Sequence, residues 1–217
     1  MRGSRACLPD GQWVLCFDRR RQDHVASYIV ARVRGCDGLR GVPLVASLVS
    51  ERGPLADIDH AAFAAVRARR SPAGIIAARV ISVLAEPGVA YPAAVLAGIG
   101  ASRRSGWRRG CIPPLVVASG AVVRRRVSRL IARPRPPAAW LTEPEGFSLP
   151  SKHTTMAALT AGACVQAADA PGRWYAAPAL AAAAVGAGRV YLGVHWPGDV
   201  VAGWLFAAGW LWLTDPG

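Results

Sequence analysis

Six apolar, alanine-rich runs succeed one another from residue 73 to residue 213, with polar joints between them. The runs lie at about residues 73–86, 88–101, 111–123, 154–168, 174–188 and 197–213. A bilayer-spanning helix needs about 20 mostly apolar residues, and several of these runs are shorter. Six in succession are nevertheless hard to explain as the core of a soluble protein. The pattern predicts an all-α, membrane-embedded six-helix bundle.

The composition is typical of a membrane protein with an anionic partner. Charged residues make up 18% of the chain and the mean hydropathy is +0.26, whereas soluble domains carry about a quarter charged residues. The net charge of +13 indicates nucleic acid, anionic lipid headgroups or a phosphorylated substrate, although a GC-rich genome also favours arginine. The five cysteines form no C-x-x-C pair, so we expect neither a zinc site nor a disulfide framework.

Two regions are predicted along the chain. Residues 1–54 are rich in Gly, Arg and Asp and have only short apolar runs, which indicates a poorly ordered or non-core N-terminal region. Residues 55–217 form the predicted membrane-embedded domain. Its first segment places Leu55, Ile58, Ala62, Phe63 and Val66 at helical spacing. This spacing favours an amphipathic helix on the membrane surface, and a surface helix of a soluble domain is the alternative.

Arginine clusters predict the orientation of the six segments. Clusters at residues 67–70 and 103–109 fall on the same side if the segments alternate, and the positive-inside rule makes that side the cytoplasm. The joint Glu86-Pro87-Gly88, residues 124–153 and residues 189–196 then lie outside. The six arginines between residues 124 and 135 break the charge rule there. We therefore expect them to bind an anion on the extracytoplasmic face.

Three separated stretches on that face carry residues suited to phosphoryl transfer. Arg126 and Arg133 are seven residues apart, so they can share one helix face, and guanidinium groups match phosphate oxygens. Asp199 follows His195 by four residues and can bond one imidazole nitrogen, which leaves the other free to attack phosphorus. His153 is then available as the general acid. An i,i+4 His-Asp pair alone is more often structural, so only the combination is specific.

These stretches resemble the signature of the type 2 phosphatidic acid phosphatase superfamily, which includes vanadium haloperoxidases. That signature reads K-x6-R-P, then P-S-G-H, then S-R-x5-H-x3-D. The corresponding parts of this chain are Arg126 to Pro134, Pro150 to His153 and Gly188 to Asp199. The resemblance covers roughly residues 55–213 and implies a six-helix membrane bundle.

The resemblance also implies a metal-independent phosphatase without a cofactor. His195 would be the nucleophile that forms a phosphohistidine, Asp199 would orient it, and His153 would protonate the leaving group. The residues implied to hold the phosphoryl group are Arg126, Arg133, Ser151 and Arg189. Arginines would supply the charge stabilisation that magnesium gives in other phosphoryl-transfer enzymes.

Three positions depart from the signature. Arg126 replaces a lysine and Gly188 replaces a serine. Lys152, the only lysine in the chain, replaces the glycine of P-S-G-H. We expect the ammonium of Lys152 to contribute to binding of the substrate phosphate, and a solvent-facing lysine without a role is the alternative.

The expected function is therefore that of a multi-pass cell-membrane phosphatase whose substrate is a lipid phosphate monoester or pyrophosphate. Polyprenyl and glycerolipid phosphates both fit. A catalytically degenerate relative that binds anionic lipid or phosphate without turnover is the main alternative. A haloperoxidase-like vanadate site fits the six apolar runs poorly. Nucleic-acid binding is not expected, because the basic N-terminal half lacks interleaved aromatic residues.

Overall fold

The structure, a computed structural model, describes residues 53, 55–137 and 140–215, together with the backbone of residues 4–7 and 13–16. Strands β1 (Ser4–Cys7) and β2 (Trp13–Cys16) pair antiparallel. This hairpin was not predicted from the sequence. The remaining part of the prediction for residues 1–54 lies outside the described residues, apart from Gly53.

From residue 55 onward the described chain is helical, as the all-α prediction requires. The helices are α1 (Ala56–Ala68), α2 (Pro72–Ser82), α3 (Pro87–Ser105), α4 (Trp107–Ile131), α5 (Lys152–Ala167), α6 (Ala176–Tyr191) and α7 (Pro197–Leu213). Short 3-10 turns, Val83–Ala85 and Gly172–Tyr175, follow α2 and precede α6. Helices α2 to α7 lie at the positions of the six apolar runs.

Local signals in the sequence explain where the helices begin and end. Proline occupies the first helical position of α2, α3 and α7, where its missing N–H has no partner to lose. Ser71 caps α2 by accepting a hydrogen bond from the N–H of Gly74 at 3.1 Å. Helix α4 ends at Ile131, and the next residue, Ala132, has a left-handed φ of 51°. That turn directs the following Arg-Pro-Arg-Pro segment back towards the bundle.

The interior of the bundle is built from small side chains. Helix α5 packs against α3, α4, α6 and α7, and it is the central helix of the described part. Alanines from α3, α5, α6 and α7 form most of the core cluster, together with Val117, Leu159 and Val185. Small residues let helix backbones approach closely, as they do in membrane bundles.

Large apolar side chains cover the outside of the same helices. Each of the surrounding helices α2, α3, α4, α6 and α7 carries at least one that is more than half exposed, namely Ile76, Leu96, Leu115, Leu180 and Leu205. An apolar exterior around a small-residue interior is unusual for a protein in water, where large exposed apolar patches are rare.

The length and composition of the individual helices bear on whether each could cross a bilayer. Among the described residues, no single helix is long and apolar enough to cross a bilayer, while α2 with its 3-10 turn and α3, bent by 44° at their junction, qualify as one pair. Helices α5, α6 and α7 have only 16, 16 and 17 residues.

Helix α1 does not present the face that its sequence predicts. Its buried residues are Ala56, Asp59 and Phe63, while Leu55 and Ile58 are exposed. The helix packs against α6 and α7, and the Phe63 ring lies 5.4 Å from that of Trp196. The predicted apolar stripe is therefore only partly correct, because a carboxylate at position 59 has its partners inside the protein.

Two glycines on α3 provide a test of the close helix packing. A β-carbon at Gly98 would collide with the backbone carbonyl of Gly110 on α4, whereas one at Gly100 would meet only the end of the Arg104 side chain at 3.5 Å. We expect Gly98→Ala to destabilise the fold by about 1–3 kcal/mol, because neither backbone can yield cheaply. Gly100→Ala should be neutral or slightly stabilising. Thermal unfolding in detergent compares the two, and equal effects would contradict the packing described.

Candidate active site

Three loops meet at the end of the bundle where α5 and α7 begin. Backbone hydrogen bonds tie them together: the N–H of Ser148 donates to Arg133 at 3.0 Å, that of Ser151 to Asp199 at 3.0 Å, and that of Leu141 to Leu192 at 2.9 Å. The three stretches singled out in the sequence are therefore neighbours in space.

His195 and Asp199 form the centre of this site. Both are almost completely buried, and Nδ1 of His195 lies 3.3 Å from Oδ2 of Asp199. Asp199 is in the first turn of α7, and Oδ2 also accepts a hydrogen bond from the N–H of Trp196 at 2.8 Å. The carboxylate thus caps the helix and faces the imidazole at the same time.

Arg135 lies against the other nitrogen of this imidazole. Its Nη1 is 3.2 Å from Nε2 of His195. A guanidinium only donates hydrogen bonds, so Nε2 must accept and the proton must be on Nδ1, facing Asp199. This arrangement leaves the lone pair of Nε2 directed at the Arg135 guanidinium.

Backbone carbonyls hold the rest of the Arg135 guanidinium. Nε donates to Gly146 at 2.9 Å, Nη2 donates to Glu145 at 2.6 Å and to Phe147 at 3.1 Å, and Nη1 also donates to Val194 at 2.5 Å. All five N–H groups of Arg135 are engaged. Burial lowers the pKa of Arg135 to about 10, so the side chain is still cationic at neutral pH.

Arg189 is a buried cation with an unused donor. It is 6% exposed, and among the described residues its Nε has no hydrogen-bond partner. Burial is the main cause that lowers the pKa of His195, and the Arg189 charge is a smaller one; the same charge also disfavours protonation of His153. A buried donor without a partner costs about 1–3 kcal/mol, so this position favours an oxyanion as its ligand.

His153 contacts a carboxylate that the sequence analysis did not predict. Its Nε2 lies 2.9 Å from Oε1 of Glu86, at the junction of α2 and α3. The predicted orientation did place the Glu86-Pro87-Gly88 joint on the same side as the histidines. That shared side was the only sequence signal for a role of Glu86.

Arg133 is not placed as the sequence predicts. Its guanidinium donates to Oδ1 of Asp199 at 2.7 Å and to Oδ2 of Asp59 at 2.5 Å, and its side chain is 4% exposed. Two carboxylates therefore occupy the arms that were expected to hold phosphate. Arg133 holds Asp59 and Asp199 in place and does not face a ligand.

Arg126 also lies away from the site. It is exposed on α4, while Nη1 of Arg124 donates to the carbonyl of Pro150 at 3.1 Å and Ser128 is buried. Residues 124 and 128 share the inner face of the helix, and residue 126 is rotated by about 200° from each. The expectation that Arg126 contacts the phosphate is therefore at odds with its position.

A shift of two residues explains both differences. The segment contains two Arg-Pro pairs, Arg133-Pro134 and Arg135-Pro136, and the first fits K-x6-R-P with a cation at residue 126. The structure brings the second pair to His195, which puts Ser128 at the first position of that spacing. The second Arg-Pro pair was the available signal for Arg135.

Ser151 and Lys152 begin helix α5 and are engaged within the protein. Oγ of Ser151 caps the helix by accepting from the N–H of Thr154 at 3.5 Å. Nζ of Lys152 lies 2.7 Å from Oε2 of Glu145, and this partner lowers the pKa of the Glu145 carboxyl. Lys152 therefore holds the loop whose carbonyls clamp Arg135, which is neither of the two roles considered from the sequence.

Burial also determines the protonation state of the central imidazole. It lowers the pKa of His195 to about 4, against the opposing effect of the Asp199 hydrogen bond. His195 is thus neutral at neutral pH. A neutral imidazole whose Nε2 carries the lone pair, next to the Arg135 guanidinium, can attack an electrophile that carries oxyanions.

An all-helical bundle with such a histidine–arginine anion site defines a class of phosphoryl-transfer proteins, and comparison with known proteins agrees. A sequence model of the PAP2 superfamily matches residues 110–215. A decaprenylphosphoryl-5-phosphoribose phosphatase of Mycolicibacterium smegmatis is 34% identical over 137 residues, which are 61% of this chain and 72% of that protein. The chain belongs to the PAP2 superfamily.

Two further proteins are similar. An undecaprenyl-diphosphatase of Sulfolobus acidocaldarius is 35% identical over 72 residues, which cover 33% of this chain and only 32% of that protein. The crystal structure of a transmembrane PAP2-type phosphatidylglycerolphosphate phosphatase from Bacillus subtilis superposes with a TM-score of 0.70 and 26% identity, covering 79% of this chain and 89% of the other. The fold is thus that of a transmembrane PAP2 phosphatase.

The buried neutral His195 predicts a specific loss of stability in acid. The unfolded chain takes up a proton on this imidazole below about pH 6.5, whereas the folded protein resists until about pH 4. The free energy of unfolding must therefore fall as the pH drops through this window. We expect the unfolding temperature of the wild-type protein in detergent to fall more between about pH 7.5 and about pH 5 than that of His195→Asn. Equal falls would show that His195 is not buried in its neutral form.

Proposed function

We propose that this chain is an integral membrane phosphatase that hydrolyses a lipid phosphate monoester or diphosphate through a phosphohistidine intermediate. The observation that carries the proposal is the buried Arg189, whose Nε has no hydrogen-bond partner among the described residues and whose backbone carbonyl accepts from the N–H of Val194, next to His195, at 3.2 Å. Such a donor near the proposed nucleophile suits a phosphoryl group.

In the first step Nε2 of His195 attacks phosphorus and the bond to the leaving oxygen breaks. His153 gives that oxygen a proton, and the lipid alcohol or lipid monophosphate departs. Asp199 stabilises the positive charge that develops on the His195 ring. Glu86, whose Oε1 lies 2.9 Å from Nε2 of His153, favours the protonated form that a general acid requires, while burial and the Arg189 charge oppose it.

In the second step water attacks the phosphohistidine. Neutral His153 takes the proton of that water, the bond between nitrogen and phosphorus breaks, and inorganic phosphate leaves. His195 returns to its neutral state. The cycle consumes one water and returns both imidazoles to their starting protonation.

Phosphate binding in this proposal relies on three groups. Arg189 supplies its unused donor, Arg135 supplies a second guanidinium beside the reacting nitrogen, and the N-terminus of α5 supplies backbone N–H groups. Arg126 and Arg133 are not included, because one is exposed on the outer face of α4 and the other is held by two carboxylates. Guanidinium groups provide the charge stabilisation, so no metal ion is required.

Several observations support a multi-pass position in the cell membrane. Large apolar side chains lie on the outside of α2, α3, α4, α6 and α7, and small ones lie inside. The similar Bacillus subtilis structure is a transmembrane protein. The arginine clusters at residues 67–70 and 103–109 favour an extracytoplasmic site by the positive-inside rule.

The lipid tail is the open part of the proposal. The names of the two curated relatives favour a polyprenyl phosphate or diphosphate, while that of the structural relative favours a glycerolipid phosphate. A site at the membrane surface accepts either, because the tail stays in the bilayer while the headgroup meets the arginines.

Release of inorganic phosphate tests the activity directly. We expect purified wild-type protein in detergent with EDTA to hydrolyse at least one of polyprenyl monophosphate, polyprenyl diphosphate, phosphatidic acid and phosphatidylglycerol phosphate. His195→Ala should lower kcat by at least about 10³-fold, because the nucleophile is lost. Binding of these lipids by both proteins without phosphate release by either would instead support the degenerate relative.

The two-residue shift in the Arg-Pro segment gives a second test. Arg135→Ala should lower kcat/KM by about 10²- to 10³-fold, because a donor at the developing charge is lost. Arg126→Ala removes the same side chain from the outer face of α4 and should leave kcat/KM nearly unchanged. The same steady-state assay compares the two variants. A larger loss of kcat/KM in Arg126→Ala than in Arg135→Ala would show that the spacing inferred from the sequence is correct.

A further inference from the structure

A buried carboxylate on α1 is not used in the mechanism above. Asp59 is 4% exposed, although the helix that carries it lies at the edge of the bundle. Its Oδ2 accepts from Arg133 at 2.5 Å, and its Oδ1 accepts from the N–H of Gly198 at 2.7 Å. It precedes residues 110–215, the part that the superfamily model matches.

Asp59 is the first member of a buried chain of polar contacts. It binds one arm of Arg133, the other arm of Arg133 binds Oδ1 of Asp199, and Oδ2 of Asp199 faces Nδ1 of His195. All four side chains are at least nine-tenths buried. Interactions between their charges are therefore only weakly screened by water.

The charges in this chain explain why two carboxylates are present. If Arg133 faced Asp199 alone, the guanidinium would neutralise the carboxylate that must support a positive imidazole. With Asp59 on its other arm, the guanidinium is shared, and the three groups together retain one negative charge. Asp199 is then held in place by Arg133 without losing its effect on His195.

The bond from Gly198 adds a geometric function. Gly198 is in the first turn of α7, one residue before Asp199, and its N–H is one of the helix donors without an intrahelical acceptor. Asp59 thus fixes both the arginine that holds Asp199 and the backbone next to it.

Resting on the proposed function, we propose that Asp59 is a positioning residue of the reaction: it acts through Arg133 and the N-terminus of α7 to hold Asp199 as a charged partner of His195. Helix α1 is consequently part of the active site, although it lies outside the three signature stretches. Loss of the Asp59 charge should therefore slow the chemical step and leave lipid binding unchanged.

Steady-state kinetics of the full-length protein in detergent test this assignment, with whichever of the four lipid phosphates the wild type hydrolyses. Asp59→Asn keeps the size and the acceptor for Gly198 but removes the charge. We expect kcat to fall by about 10- to 100-fold, the range known for outer partners of metal-bound histidines, with KM nearly unchanged. The matched control is Asp57→Asn on the same helix, where the carboxylate is exposed, and it should match the wild type.

A second variant displaces the Asp59 carboxylate by changing a neighbouring residue on α7. A β-carbon at Gly198 would lie 2.8 Å from Oδ2 of Asp59, so Gly198→Ala should displace this carboxylate and lower kcat in the same way. Because both changes act on one interaction, the double variant should lose less than the product of the single losses. This variant keeps the proposal testable if Asp59→Asn fails to fold.

The outcomes separate the two proposals. If the wild type releases no phosphate, the proposed function fails before the variants are compared. If the wild type is active and Asp59→Asn retains its kcat, or raises KM alone, the positioning role is wrong. Multiplicative losses in the double variant would likewise show that Gly198 and Asp59 act separately, which overturns the proposal.

Discussion

The buried ion cluster around Arg133 is the interaction on which the arrangement of the site depends. A guanidinium cannot be taken out of water unless carboxylates neutralise it and accept its donors. Asp59 comes from the first helix and Asp199 from the last, so their common partner joins the two ends of the helical region. The loop after α4 is fixed at the same point, because Ser148 donates its N–H to the carbonyl of Arg133.

The helical fold was predictable from the sequence because apolar runs and proline starts are local signals. Pro72, Pro87 and Pro197 each begin a helix next to an apolar run. The His195–Asp199 pair was predictable for the same reason, since i,i+4 residues at a helix start are close whatever the tertiary fold. The face of α1 was not, because a buried Asp59 is stable only when an arginine 74 positions away reaches it.

The remaining site contacts depend on where loops turn. Ala132 adopts a left-handed conformation, and this turn decides which of two Arg-Pro pairs faces His195. The spacing from a cation at residue 126 favours the first pair, which is not the one that the structure brings to His195. The contacts of Lys152 and Glu86 were equally hard to predict. Nζ of Lys152 lies 2.7 Å from the Glu145 carboxylate, and the Glu86 carboxylate lies 2.9 Å from the imidazole of His153. The two pairings span 7 and 67 residues, and neither leaves a periodic pattern in the sequence.

The complete engagement of Arg135 has a consequence for the order of events. With every N–H occupied, an arriving oxyanion must displace one existing acceptor, and the contact with His195 is the longest at 3.2 Å. When the oxyanion replaces that contact, the N–H of Arg135 donates to the ligand, and Nε2 of His195 becomes accessible at the same time. Under the proposed function, the resting protein keeps the nucleophilic Nε2 of His195 covered, and a ligand that carries suitable oxygens uncovers it.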